Sequence, residues 1–305
     1  MSFAPDFFVI GAQKAGTTSL CAWLEQQKNI CFSKPKEPFF FSRDEVVLHP
    51  HFFVEEPDQW ERFDWNNKKD ALLEGYQTHF DHAKDGNLLG EGSTSYLTSQ
   101  FAAQRIAEIK PEAKIVVVLR DPAKRAYSAY WHYVRCGIAC ESFLKHIQYE
   151  SGHTIAVGEY VRHIELWLNY FPKEQLHFML HEELLEDADI PLTKLAEFLG
   201  LKELSDPILP KENTGKNPRL LWLQLALNYI KRRSGANHNA IEKGKNHWLV
   251  DLLRPVEAWN LTDKPHPAMP YDLHHRLDMH YNHMNARLEE LTGLDVSKHW
   301  YSTLS

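Results

Sequence analysis

The chain has 305 residues, of which 43% are hydrophobic and 25% are charged. This composition is typical of globular proteins and excludes collagen, coiled coils and disulfide-rich miniproteins. The formal net charge of −7, from 34 Lys and Arg against 41 Asp and Glu, argues against general nucleic-acid binding, so any bound anion requires a local basic site.

The first predicted elements are a buried strand and a helix, joined by a loop that contains glycine. The strand is Phe7–Gly11, a short apolar run of the kind found in parallel sheets. The helix is predicted over residues 17–27, because its large apolar side chains recur at helical spacing. The loop between them carries Lys14 and Gly16.

A second strand–helix pair is predicted near the middle of the chain. Residues 115–119 form another apolar run, followed directly by Arg120, and Pro122 is a good first residue for a helix continuing over 123–135. Weaker strands are predicted at 30–33, 87–91 and 175–180, and further helices at 160–170, 191–199 and 271–291.

This alternation of strands and helices predicts an α/β fold, in which a central, mainly parallel sheet is flanked by helices in three layers. We expect one domain over residues 1–305, with the less regular stretch 211–270 as an insertion or lid-like region. The four cysteines lack the spacing of a zinc site and are expected to be reduced thiols.

The loop after the first strand has the chemistry of a phosphate site. Backbone N–H groups and a helix N-terminus between a buried strand and a helix together bind phosphate. The glycine spacing is that of a nucleotide P-loop, but Thr17 stands where ATP and GTP enzymes have lysine, and the lysine comes earlier, at Lys14. The early position of the lysine favours a donor with one 5′-phosphate and a sulfuryl group. A strand-to-helix turn that binds no ligand also fits the loop taken alone.

The second strand–helix pair carries another candidate anion site. Arg120 follows the strand at the end where open parallel sheets bind ligands. Ser128 lies two turns into the helix, and an arginine with a hydroxyl suits a phosphate monoester. Taken alone, the pattern favours a surface pair of Arg120 with Asp121 and an ordinary helix serine.

Together, GAQKAGTTSL from Gly11 and LRDPAKRAYSAY from Leu119 resemble two motifs of sulfotransferases that use 3′-phosphoadenosine 5′-phosphosulfate (PAPS). The group most similar includes the heparan sulfate sulfotransferases and their bacterial relatives. The similarity continues at residues 34–41, 90–97, 158–201 and 269–300, and is weakest over 220–261. It implies a P-loop-type α/β fold and transfer of a sulfuryl group to a hydroxyl or amine, with 3′-phosphoadenosine 5′-phosphate (PAP) as product.

The resemblance also implies a role for each candidate site residue. Lys14 would act as the catalytic lysine on the bridging oxygen, where negative charge builds up during transfer. Arg120 and Ser128 would bind the 3′-phosphate. The 5′-phosphosulfate would be held by the loop residues Lys14, Ala15, Gly16, Thr17, Thr18 and Ser19.

Glu37 is the candidate base for the acceptor hydroxyl, again by resemblance. The chain departs from the heparan members at Phe39, where they often have histidine, and at Ser42, where they favour an acid. A structural ion pair of Glu37 with Lys34 or Lys36 is the alternative.

The family closes a late basic loop over the nucleotide, and two segments of this chain fit that description. Residues 262–267 contribute Lys264 as a candidate phosphate contact. Residues 213–219, with Lys216 and Arg219, are the alternative. We expect no metal site, because the histidines of the last long helix, including His274, fit a solvated face better than a set of ligands.

Two other functions stay open from the residues alone: a P-loop nucleotide or small-molecule kinase, and an inactive binding protein on the same fold. For the sulfotransferase, the acceptor is expected to be a glycan or small molecule, with no nucleic acid as partner. The first residues have no signal-peptide pattern and no long apolar run follows, so a cytoplasmic protein without a membrane span is expected. The sequence leaves the oligomeric state open.

Overall fold

The computed structural model describes residues 4–201, 208–210, 216–234 and 248–300. Its main sheet has five parallel strands in the order β2-β3-β1-β4-β5. The α/β fold class predicted from the alternation of elements is confirmed. The strands are β1 (Phe7–Gly11), β2 (Ile30–Phe32), β3 (Leu88–Gly92), β4 (Lys114–Leu119) and β5 (Leu176–Leu180).

Helices alternate with these strands along the chain, and most of those predicted from the sequence begin and end within two residues of their expected bounds. The helices before the third strand are α1 (Thr17–Glu25), α2 (Pro50–Glu55), α3 (Pro57–Arg62) and α4 (Trp65–Gln77). Those that follow are α5 (Ala102–Ile109), α6 (Pro122–Arg135), α7 (Phe143–Tyr149), α8 (Ser151–Thr154), α9 (Tyr160–Leu168), α10 (His181–Glu186), α11 (Asp189–Leu199), α12 (Leu221–Arg233), α13 (Trp248–Asn260), α14 (Tyr271–Thr292) and α15 (Val296–Trp300).

The two central strands β1 and β4 are buried almost throughout because both sheet faces are covered. Phe8, Val117 and Trp23 of α1 are fully buried in one hydrophobic core. Burial on both faces explains why these strands read as continuous apolar runs rather than as alternating patterns. It also explains why their bounds are the easiest to predict.

The strand order creates a switch point between β1 and β4. From β1 the chain leaves towards β2 at one edge of the sheet, and from β4 it leaves towards β5 at the other. In open parallel sheets, a crevice forms outside the carboxyl ends of two such strands and binds ligands. The loops that carry Lys14 and Arg120 begin at these two strand ends.

The chain divides into two compact units. The first contains the main sheet and takes its described residues from 4–121, 159–210 and 283–300. The second takes its described residues from 122–158 and 216–282, and includes α6, α12 and α13. The single domain expected from the sequence stays a prediction.

The described residues of the stretch 211–270 form regular elements, and the insertion or lid-like region expected there stays a prediction. These residues form the helices α12 and α13 and a short antiparallel pair, β6 (Asn217–Pro218) with β7 (Leu261–Thr262). The helical pattern is weak in this part of the sequence for two reasons. Pro255 lies inside α13, and the apolar side chains of α12 occur on several faces of the helix rather than along one stripe. Residues 211–215 and 235–247 of that stretch lie outside the described part.

All four cysteines fall within the described residues and are free thiols, as expected. Across the described ranges, no helix combines the length and apolar character needed to cross a membrane.

Candidate active site

The loop after β1 turns tightly at two left-handed residues before α1 begins. Lys14 has φ 69° and Gly16 has φ 85°. The N–H of Ala12 donates a 2.7 Å hydrogen bond to the carbonyl of Val118, which fixes the loop to β4. The loop therefore leads directly into the N-terminus of α1, whose first turn has no acidic residue, and this arrangement favours an anion there.

Glycine is needed at position 16 because the ring of His181 lies against it. A Cβ on Gly16 would come within 2.8 Å of His181 Nδ1. Burial, with help from the nearby Arg120, lowers the pKa of His181 to about 4, although a hydrogen bond with the backbone of Ala15 opposes the shift. The ring is therefore uncharged at neutral pH.

His181 is not among the site residues predicted from the sequence, although its position carries a signal. It is the first residue after β5, so it occupies the same end of the sheet as the two candidate loops. Open parallel sheets bind ligands at the carboxyl ends of their strands, and this applies to His181 after β5 as it does to Arg120 after β4.

A direct contact joins the two motifs that suggested an anion site. Arg120 Nη1 donates a 2.9 Å hydrogen bond to the carbonyl of Lys14, and the Tyr160 hydroxyl donates one of 2.8 Å to the carbonyl of Arg120. Arg120 is half-buried. The guanidinium therefore supports the loop after β1 from the end of the neighbouring strand.

A third segment, which contains Glu37, also reaches this loop. Lys36 Nζ donates a 2.8 Å hydrogen bond to Thr18 Oγ1 and lies 3.9 Å from Glu37 Oε1. The Thr94 hydroxyl donates to the same carboxylate oxygen at 3.3 Å. Burial raises the pKa of Glu37, while Lys36, Thr94 and Lys14 oppose the shift. The carboxyl group is thus held close to cations in a partly dehydrated position.

The other predicted binding residues lie in the second unit. Ser128 is half-buried on α6 and Lys264 is exposed after β7. Asn217 accepts a 2.9 Å hydrogen bond from Arg135 at the end of α6, and its amide donates one of 2.9 Å to the carbonyl of Lys264. The two candidate late loops are therefore neighbours, since β6 and β7 pair directly.

The prediction of a solvated histidine face on α14 is wrong for His274. Its side chain is only 12% exposed, and Nδ1 lies 2.9 Å from Asp278 Oδ2. His275 and His280 are exposed, as expected for that face. The error arises because the helical pattern of apolar residues cannot distinguish a buried polar pair from a solvated one.

Comparison with known proteins places these features in a family. The family model described as "Sulfotransferase domain" matches residues 4–292. The human heparan sulfate glucosamine 3-O-sulfotransferase 6 is 25% identical over 300 residues, covering 95% of this chain and 72% of that protein. The human bifunctional heparan sulfate N-deacetylase/N-sulfotransferase 3 is 30% identical over 213 residues, covering 65% of this chain and 22% of that protein.

Among solved structures, a sulfotransferase from Alicyclobacillus acidocaldarius matches with a TM-score of 0.62 and 25% identity, covering 97% of this chain and 98% of that one. The chain belongs to the sulfotransferase domain family. It is a sulfotransferase, and the alternative of a P-loop kinase is set aside.

Proposed function

We propose that this protein transfers the sulfuryl group of PAPS to a hydroxyl or amine of an acceptor and releases PAP. The contact between Arg120 Nη1 and the carbonyl of Lys14 carries this proposal. It joins a lysine-bearing anion loop to an arginine at the switch point of the sheet, where a donor with two separate phosphate positions can be held.

Lys14 acts on the bridging oxygen between the 5′-phosphate and the sulfuryl group. Charge develops on that oxygen as the bond breaks, so a cation already in place stabilises the transition state more than the ground state. The backbone N–H groups from Ala15 to Thr18, with the hydroxyls of Thr17, Thr18 and Ser19, hold the 5′-phosphosulfate.

Glu37 accepts the proton of the acceptor hydroxyl. Its raised pKa, caused by burial, makes it a stronger base than an exposed glutamate. Its contacts with Lys36 and Thr94 fix the carboxylate, so the ion pair considered as the alternative role is compatible with catalysis. The base and the cation Lys14 then act on opposite ends of an in-line transfer.

Arg120 and Ser128 bind the 3′-phosphate, and Lys264 provides a further contact to the phosphates. The charges supplied by Lys14, Arg120 and Lys264 are sufficient for this donor, and we propose that no metal takes part.

For the acceptor we propose a carbohydrate or another small molecule that carries an alcohol, and no nucleic acid. Support comes from the relatives named as heparan sulfate sulfotransferases. The departures at Phe39 and Ser42 argue for an acceptor other than heparan sulfate itself. The cytoplasmic location expected from the sequence stays a prediction.

A thermal-shift series with PAP, PAP plus EDTA, and ATP with Mg²⁺ tests the donor proposal. We expect PAP to raise the melting temperature equally with and without EDTA, and ATP to do so poorly. A requirement for Mg²⁺, or a larger shift with ATP, would contradict it. Incubation with labelled PAPS and a library of sugar and phenol acceptors then identifies the acceptor class.

A further inference from the structure

Glu91, near the end of β3, is fully buried, and its carboxylate lies among three hydroxyl groups. The Ser93 hydroxyl donates a 2.6 Å hydrogen bond to Oε1, and the Tyr76 hydroxyl donates to Oε2. The Tyr96 hydroxyl is also hydrogen-bonded to this carboxylate. A buried carboxylate is stable only with such donors, so these contacts explain how Glu91 is accommodated.

Two of these hydroxyls also hold the backbone that follows Glu37. The Ser93 hydroxyl accepts the N–H of Phe39 at 3.3 Å, and the Tyr96 hydroxyl accepts the N–H of Phe41 at 3.1 Å. Each hydroxyl has a single proton, so donating it to a carboxylate leaves its lone pairs for the backbone N–H. The carboxylate therefore sets the direction of both hydrogen bonds.

The third hydroxyl residue holds the same segment through its ring. Tyr76 stacks on Phe40, with ring centroids 4.4 Å apart and an interplanar angle of 18°. All three residues from Phe39 to Phe41 are thus tied to side chains that contact Glu91.

The segment needs such support because its backbone is unusual. Glu37 has φ 58° and Phe39 has φ 53°, in the left-handed region that non-glycine residues rarely adopt. Such conformations persist only where surrounding contacts determine them, and they occur often at active sites.

We propose that Glu91 is a positioning residue for sulfuryl transfer: through Ser93, Tyr76 and Tyr96 it fixes the segment after Glu37 and so holds that carboxylate towards the acceptor. This inference rests on the proposed role of Glu37 as base. It assigns a catalytic consequence to a carboxyl group that is fully buried beneath the site.

The two carboxyl groups also interact through space. Burial raises the pKa of Glu91 to about 7, three hydroxyl contacts oppose the shift, and the charge of Glu37 adds to it. Glu91 therefore keeps its proton to a higher pH than Glu37, whose own pKa is raised by burial and lowered by Lys36, Thr94 and Lys14.

Glu91→Gln tests the proposal, because an amide keeps the size but presents N–H donors to one side of the hydroxyl cluster. We expect kcat with the acceptor from the library assay to fall by about 10- to 100-fold, as small misplacements of reacting groups do. The affinity for PAP should stay unchanged. Amide hydrogen exchange at Phe39 and Phe41 should become faster.

The pH profile separates positioning from a general loss of structure. The carboxylate form of Glu91 directs the two hydroxyls, so kcat of the parent protein should rise as Glu91 loses its proton around pH 7, and Glu91→Gln should lack this rise. Carboxyl carbon NMR should show the same titration of Glu91 without any acceptor. Ser93→Ala, which keeps both carboxylates, should speed exchange at Phe39 but still show the ionisation of Glu91.

Glu45→Gln is the matched control. Glu45 also accepts hydrogen bonds, from the Ser99 hydroxyl and the Gln100 N–H, and burial also raises its pKa. None of these contacts involves Phe39 to Phe41, so its variant should keep the exchange rates, the acidic limb and kcat of the parent protein.

Normal kcat in Glu91→Gln, with the rise in kcat around pH 7 retained and a loss of kcat in Glu37→Gln, would overturn this proposal alone. Normal kcat in Glu37→Gln would instead contradict the assignment of the base. Ser93→Ala, measured in the same way, keeps the test decisive if Glu91→Gln does not fold.

Discussion

Lys36 Nζ donates a 2.8 Å hydrogen bond to Thr18 Oγ1, and this contact joins the Glu37 segment to the first turn of α1. The candidate base is thereby fixed to the same loop that would hold the 5′-phosphosulfate. Since Lys36 also lies 3.9 Å from Glu37 Oε1, one cation contacts both the proposed donor-binding loop and the proposed base.

Lys14→Ala should remove most turnover while weakening PAP binding only modestly. The reason is that Lys14 meets charge which develops during transfer, and PAP lacks the sulfuryl group. We expect kcat to fall by about 10²–10³-fold, the usual effect of removing one transition-state contact. Single-turnover assays and PAP calorimetry measure the two effects, with Lys84→Ala, an exposed lysine before β3, as control. Near-normal kcat would show that the assigned role is wrong.

Ser128→Ala and Arg120→Ala should differ in how strongly they affect binding of PAP compared with adenosine 5′-phosphosulfate. Ser128→Ala should raise the Kd for PAP about 10- to 100-fold, which corresponds to the loss of one hydrogen bond to a charged group, and leave adenosine 5′-phosphosulfate binding unchanged, because that ligand has no 3′-phosphate.

Arg120→Ala should raise the Kd for PAP about tenfold more than Ser128→Ala does. It should also weaken the binding of adenosine 5′-phosphosulfate, because Arg120 donates a hydrogen bond to the Lys14 carbonyl. Calorimetric titration of both ligands provides the comparison. Equal losses for the two ligands in Ser128→Ala would argue against a 3′-phosphate site.

Glu37→Gln keeps the size of the side chain but removes its basicity. We expect kcat to fall by about 10²–10⁴, the usual contribution of general-base catalysis, with PAP affinity retained. The acidic limb of the pH–rate profile should disappear at the same time, because it reports the protonation of this carboxyl group. If kcat and the limb both stayed intact, another group would have to accept the proton.

Gly16→Ala should destabilise the protein and weaken PAP binding. Alanine at φ 85° is strained, and its Cβ would meet the His181 ring at 2.8 Å, so we expect a loss of about 2–4 kcal/mol in unfolding free energy. Adding His181→Ala removes the collision but not the backbone strain, and should restore part of that loss in denaturant titrations. No recovery in the double variant would mean that the ring does not limit this position.

Glu91 should make the protein less stable as pH rises. Its folded pKa of about 7 lies above its ordinary value of 4.5, so the folded state binds the proton more tightly. The resulting stability is fully present below pH 4.5 and is lost as pH rises through 7, by about 3 kcal/mol in total. Glu91→Gln should therefore show a flatter dependence of unfolding free energy on pH over this range. Parallel curves for the two proteins would contradict the shift.

The sequence predicts the elements that carry continuous apolar runs and the loops at their ends. The bounds of β1 and β4 agree within one residue, and Lys14 and Arg120 lie at the switch point because strand ends define it. The contacts of His181 with Gly16, and of Glu91 with Tyr76 and Ser93, could not be predicted. They join positions on different elements, for which a single sequence contains no periodic signal.

The contacts of Asn217 have a structural consequence inside the second unit. Its buried amide bonds to Arg135 on one side and to the carbonyl of Lys264 on the other. One side chain therefore bonds both to the end of α6, the helix that carries Ser128, and to the loop that carries Lys264, although Ser128 and Lys264 are 136 positions apart in the chain. Shortening Asn217 to alanine would remove both of these hydrogen bonds and leave the backbone pairing of β6 with β7.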